Sequence, residues 1–185
     1  MINLCQKFSD ALFKPGLKCI ACRAETLSAP PHGFCDSCLS KLPIITNPCL
    51  KCGTQLNEKN QFCIRCKSLP HSHAFDKCIS SFSYEDKISS IIYEFKYSGA
   101  RYLSRYMAES MHKTFKESGF KIDRITYVPS CKSRLKMRGY NQAQLLAKDF
   151  HKLEPTLPLI ENVLVRKLET NSQTEANFEE RQKNL

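Results

Sequence analysis

A chain of 185 residues has room for one ordinary domain or two small ones. Hydrophobic residues make up 42%, with eleven Phe and seven Tyr, which argues against general disorder; no run approaches eighteen apolar residues, so a membrane span is not expected. The formal charge of +10 points to an anionic ligand, although a solvated basic face that only aids solubility accounts for charge alone.

The start, Met1 to Pro15, carries Asp10 and lacks an uninterrupted apolar region or a small-residue cleavage site, so no secretory signal is expected. That argues for the cytoplasm, where thiols stay reduced. Eleven cysteines there suggest metal rather than disulfides. Eight of them form Cys-x-x-Cys pairs: Cys19/Cys22, Cys35/Cys38, Cys49/Cys52 and Cys63/Cys66. Twelve residues separate Cys22 from Cys35 and ten separate Cys52 from Cys63, so the two halves are crude repeats of each other. A Cys-x-x-Cys turn sets two sulfurs on one side of a tight knuckle, and two facing knuckles complete a tetrahedron with Zn–S near ~2.3 Å. Gly53, directly after Cys52, suits the positive φ such a knuckle often needs. Four protein ligands leave no position for water, which makes both ions structural. Each site would lower the formal charge by about 2, as four thiols become thiolates around one divalent ion. Alternatives remain: disulfides, redox-active pairs, an iron–sulfur cluster, replacement of a cysteine by His32, His71 or His73, and crossed pairing of the first knuckle with the third. Outside the pattern, Cys5 and Cys78 read as small apolar fillers. Cys131, beside Lys132 and near Arg134, reads the same way despite neighbours that favour its thiolate.

Pro70 marks a boundary near Ser68 to His73, dividing a cysteine-rich domain, 1–70, from a second, 74–185. Cys78–Tyr84 has strand character. Asp86 is placed to cap a helix running to about Tyr97, with Ile88, Ile91, Ile92 and Phe95 on one face and Gly99 at its end. Leu103, Tyr106, Met107, Met111 and Phe115 predict a second amphipathic helix over 100–117. Ile125–Pro129 reads as a strand, followed by a basic loop, a helix from about Asn141 to Lys152, and a strand over Asn162–Arg166. This order suggests a parallel sheet with crossover helices. From Lys121 to Lys152 there are eight basic residues against Asp123 and Asp149. A basic loop that follows a strand and opens a helix is a phosphate-binding candidate.

These features together resemble the ComF family, competence-associated proteins with an amino-terminal zinc ribbon and a phosphoribosyltransferase-like domain. The resemblance rests on the four cysteine pairs, Phe95-Lys-Tyr-Ser-Gly99, Val128-Pro129, Arg134-Leu-Lys-Met-Arg-Gly-Tyr-Asn-Gln142, Arg166 with Thr170 and Gln173, and Arg181 with Asn184. It implies a small zinc-ribbon domain followed by an α/β type I phosphoribosyltransferase-like domain, a fold that binds phosphoribosyl pyrophosphate with magnesium. On that reading Arg134, Lys136 and Arg138 neutralise phosphate charge, Gly139, Asn141 and Gln142 shape the turn, and Lys96 is a further phosphate-binding candidate. No catalytic residue is implied. The position the family gives to His in a Pro-Leu-His run is Cys131 here. The family continues into an Asp-Asp…Thr-Thr-Gly loop that cradles the ribose phosphate, and no such segment occurs in this sequence. The expectation is therefore an incomplete domain, C-terminally truncated or completed by a separate polypeptide, whose magnesium and phosphoribosyl pyrophosphate would bind only once it is whole. The family also implies natural transformation and handling of single-stranded DNA, with a competence-machinery protein as a possible partner. A phosphoribosyltransferase of nucleotide metabolism and a structural zinc-ribbon adaptor are the alternative functions.

Overall fold

The computed structural model describes residues 18–26, 31–57, 60–68 and 75–166. Thr170, Gln173, Arg181 and Asn184 of the family-like motifs lie outside them, as do Cys5, His71, His73 and Pro70. Contacts divide the chain into two compact units, Met1–Lys121 and Ile122–Leu185.

The first unit begins with two copies of one local design. In the first, Lys18 bridges antiparallel to Glu25, Cys19 N donates to Ala24 O at 2.9 Å, and Arg23 N donates to Cys19 O at 2.9 Å. In the second, Pro48 bridges to Gln55, Cys49 N donates to Thr54 O at 2.8 Å, and Gly53 N donates to Cys49 O at 2.9 Å. Each copy finishes in a short helix that carries its last cysteine, α1 (Asp36–Leu39) or α2 (Ile64–Ser68). The segment after the ribbons runs back along them. Cys78 N donates to Lys51 O at 2.8 Å, Ser83 N to Pro43 O at 2.8 Å, and Ile44 bridges to Phe82. Two amphipathic helices follow, α3 (Asp86–Tyr97) and α4 (Leu103–Ser118), which pack on each other. Their apolar faces bury Ile88, Ile91, Phe95 and Leu103, and the ribbon contributes Ile20 and Phe34 to the same core. A cavity of about 190 Å³ persists there, lined among others by Ile20, Phe34, Ile88, Ile91 and Met107.

Among its described residues the second unit holds one parallel bridge, Ile125 with Leu159, supported by Ile125 N donating to Pro158 O and Ile160 N to Ile125 O, both 2.9 Å. Between these residues lie α5 (Lys132–Arg138) and α6 (Gln142–Leu153). Ala147 and Phe150 are the buried residues of α6.

Helix α3 spans the expected residues, but its cap is different. Asp86 is its first residue with φ 38°, and Glu85 precedes it without a side-chain cap. Three strand expectations are corrected. Over Cys78–Tyr84 the pairing is a single bridge at Phe82, because the residues bond in turn to two separate stretches of ribbon backbone rather than to one extended partner. Ile125–Pro129 pairs through Ile125, and its partner is Leu159 instead of Asn162–Arg166, where Asn162 turns at φ 63°. Cys78 is exposed rather than filling the core, its Sγ lying 3.8 Å from Ile79 O. Among the described residues no helix is long and apolar enough to cross a membrane.

Candidate functional site: two cysteine clusters and a basic helix

The eight paired cysteines gather into two groups, Cys19/Cys22/Cys35/Cys38 and Cys49/Cys52/Cys63/Cys66, the sulfurs of each lying within 4.8 Å of one another. Neighbouring knuckles therefore face each other, and crossed pairing of the first with the third is ruled out in this fold. His32 is not a ligand; its Nδ1 lies 3.6 Å from Glu109 Oε2 on α4. Between knuckles, Cys22 Sγ and Cys35 Sγ are 3.8 Å apart, as are Cys52 Sγ and Cys63 Sγ. A tetrahedron with Zn–S near ~2.3 Å has sulfur–sulfur edges of about 3.8 Å, so the donor sets fit zinc in size as well as in chemistry.

The backbone prepares each cluster for a cation. The amide of Cys35 donates to Cys19 Sγ at 3.4 Å, and that of Cys63 to Cys49 Sγ at 3.4 Å. Burial pushes the Cys19 thiol up, but the amides of Cys22, Cys35 and Ala21 outweigh it and bring its pKa down to about 6. Cys49 is held at about 6 in the same way, by the amides of Cys52, Cys63 and Lys51 against burial. The opposite happens at the last cysteine of each cluster. Burial and the neighbouring thiols push Cys38 up to about 11 and Cys66 up to about 12. Cys52 is also raised, by burial first. A metal-free cluster thus favours one thiolate and resists accumulating more, because the thiolates repel one another and the Lys87 hydrogen bond lowers Cys38 only in part. A divalent ion supplies the offsetting charge, and its binding expels the remaining protons.

Turn chemistry separates the copies. Gly53 adopts φ +72°, and a Cβ there would lie 2.8 Å from Cys78 O, so glycine serves both the knuckle and the close approach. The corresponding residue of the first copy is Arg23, at φ 63°. Its guanidinium reaches out of the ribbon, donating from Nη1 to Tyr102 OH at 2.9 Å and pairing through Nη2 with Glu94 of α3. That pairing raises the Arg23 pKa above its ordinary value. Lys87, also on α3, places Nζ 3.2 Å from Cys38 Sγ, and this hydrogen bond raises the Lys87 pKa. Sequence reasoning missed Arg23, Glu94, Tyr102 and Lys87. Aligning the two repeats would have flagged Arg23, the bulky residue where the other copy has glycine.

The basic segment is a helix rather than a loop. Lys132, Arg134, Lys136 and Arg138 all lie on α5, which buries none of its residues and contains no acid. Gly139 closes it in the left-handed conformation, φ 74°. Asn141 then caps α6: its Oδ1 accepts from Ala143 N at 3.0 Å and Gln144 N at 3.4 Å, and its Nδ2 donates to Val128 O at 3.2 Å. Arg138 Nη1 donates to Gln142 Oε1 at 3.2 Å, and Gln142 Nε2 is buried with no hydrogen-bond partner among the described residues. Lys96 lies on α3 in the first unit, whereas the other six candidates share one stretch of the second. Cys131 is buried, with Sγ 3.3 Å from Ser133 Oγ.

A family model for the double zinc ribbon domain matches residues 8–67. Competence protein F of Haemophilus influenzae is 27% identical over 173 residues, which cover 91% of this chain and 73% of the relative. No solved structure matches the chain significantly.

Proposed function

The double zinc ribbon and the match to Competence protein F support assignment of this chain to the ComF family, and we propose that it is a competence protein that handles single-stranded DNA in the cytoplasm. The two thiolate clusters are structural zinc sites on this reading, and a reducing compartment keeps them loaded. The observation that carries the proposal is α5, with four basic residues in seven and none of the seven buried. Arg134, Lys136 and Arg138 neutralise backbone phosphates, the buried Nε2 of Gln142 supplies a further donor, and Gly139 with Asn141 sets the turn that presents them. Lys96 is an outlying phosphate contact. The parallel bridge flanking α5 and α6 is consistent with a phosphoribosyltransferase-like α/β arrangement. Phosphoribosyl pyrophosphate with magnesium is the ligand such a domain takes.

Fluorescence anisotropy of a labelled single-stranded oligonucleotide, titrated at several salt concentrations, tests the DNA reading. Changing Arg134, Lys136 and Arg138 together to Ala removes three phosphate contacts and lowers the salt slope by about 2. Unchanged affinity and slope would reduce α5 to a solvated face and favour the zinc-ribbon adaptor.

A further inference from the structure

The two cysteine clusters match in their ligands and differ in what they hold. At the turn after its first knuckle, the second copy uses glycine, the residue to which φ +72° costs least. The first copy places Arg23 at φ 63°, a conformation that disfavours residues with a Cβ. Strain of this kind persists where the surroundings over-determine it. Here the strained turn aims the guanidinium at Glu94 of α3 and at Tyr102, the residue preceding α4. Three further contacts join the same copy to the same helices. Lys87 of α3 donates to the ligand Cys38, and His32 faces Glu109 of α4. Gly33, at φ +80°, lies so close to α4 that a Cβ would stand 2.7 Å from the Tyr106 ring. The Gly33 carbonyl also accepts from Ile20 N at 2.9 Å, tying this approach to the knuckle itself. The second copy instead meets the segment before the helices, through Lys51 and Gly53 against Cys78.

We infer that the first cysteine cluster is a metal-dependent clamp on the α3–α4 helix pair, with Arg23 and Lys87 as its positioning residues, while the second cluster leaves that pair unaffected. Metal fixes the Cys19–Cys22 knuckle, the knuckle fixes the turn at Arg23, and the turn fixes the guanidinium on both helices. In return, Lys87 donates to a thiolate that the metal also needs. Loss of metal from this one cluster would release the helix pair, making it responsive to zinc supply or thiol oxidation without a change at the second cluster.

Hydrogen exchange on the full zinc-loaded chain, with zinc counted on the same samples, tests the clamp without any nucleic acid, so its outcome is separate from that of the DNA proposal. Cys22→Ser is expected to lose one zinc and raise amide exchange across α3 and α4 about tenfold, whereas Cys52→Ser loses one zinc and leaves those amides within about twofold. Arg23→Gly relieves the turn and removes the guanidinium, so it retains two zinc ions yet loosens the same helices. Lys87→Met speeds removal of one zinc by a chelator about tenfold, the lower end of what such outer partners contribute, and Lys87→Arg restores the slow rate. Equal protection of α3 and α4 with the first cluster empty would overturn the inference, as would equal loosening by both cysteine variants. So would an Arg23→Gly chain with exchange like the parent's.

Discussion

The cysteine region and the basic helix α5 are both dense in functional-group chemistry, but only the first dictates its own geometry. Eight thiols at two-residue spacings have few ways to meet one metal each, and the backbone amides that lower Cys19 and Cys49 arise from the knuckle itself. Four basic residues on α5 specify a sign of charge and little else. Their helix buries nothing and leaves Leu135 and Met137 exposed, so its own packing does not define a site. A coordination site is therefore readable alone, while a charge cluster becomes a site only with its partner.

The sharpest way to break this comparison is to take the metal away. Structural zinc contributes on the order of 10 kcal/mol to folding of small ribbons. Chelation with a high-affinity chelator is expected to abolish the cooperative melt of the first unit and to leave exchange protection in α6 of the second largely intact. A melt indifferent to chelator would make the cysteines ordinary core residues. Acid should act on the same contrast. Cys19 and Cys49 have pKa values lowered from 9.0 to about 6. Their contribution is thus full above the unfolded value near 9 and lost as pH falls through about 6. Alkylation of the paired thiols in the metal-free chain, followed from pH 8 to 5, should slow across that lower value. A rate that falls away already near pH 9 would argue against thiolates stabilised by the knuckle amides.

Three single substitutions sharpen the comparison on a smaller scale. Gly33→Ala combines a left-handed φ with a clash against Tyr106 and should cost about 2 kcal/mol, seen as a lowered melting temperature of the first unit. Gly119→Ala, also left-handed but with nothing within 4 Å, should cost less. If the two shift melting equally, the ribbon does not press on α4. Asn141→Ala removes the α6 cap and the tie to Val128 O and should cost about 1 kcal/mol in the second unit, with zinc content unchanged.

How much of this was legible in the sequence follows the same physics. The cysteine groups could be read from spacing, and α3 and α4 from apolar residues at helical period, because Ile88, Ile91, Phe95 and Leu103 do pack inward, although Met111 stays exposed. Helix α6 was readable from its apolar face and its start at Asn141. Helix α5 was not: with no buried face it has no hydrophobic period and reads as a loop. The strand expectations failed because alternation of residue types does not say whether an extended partner exists, and here Phe82 and Ile125 pair one residue at a time. The contacts that anchor the first cluster join residues 49 to 79 positions apart, beyond the reach of local pattern. Composition divides the chain near residue 70, whereas contacts in space group the ribbons with α3 and α4.

The most direct test of the account is the metal content of the purified full chain, measured by elemental analysis beside a thiol count before and after chelation. Two structural four-cysteine sites predict close to two zinc ions per chain, with the eight paired thiols shielded until the metal is removed. No zinc, or iron in its place, would contradict the account. A single zinc would leave one of two nearly identical clusters without its ion.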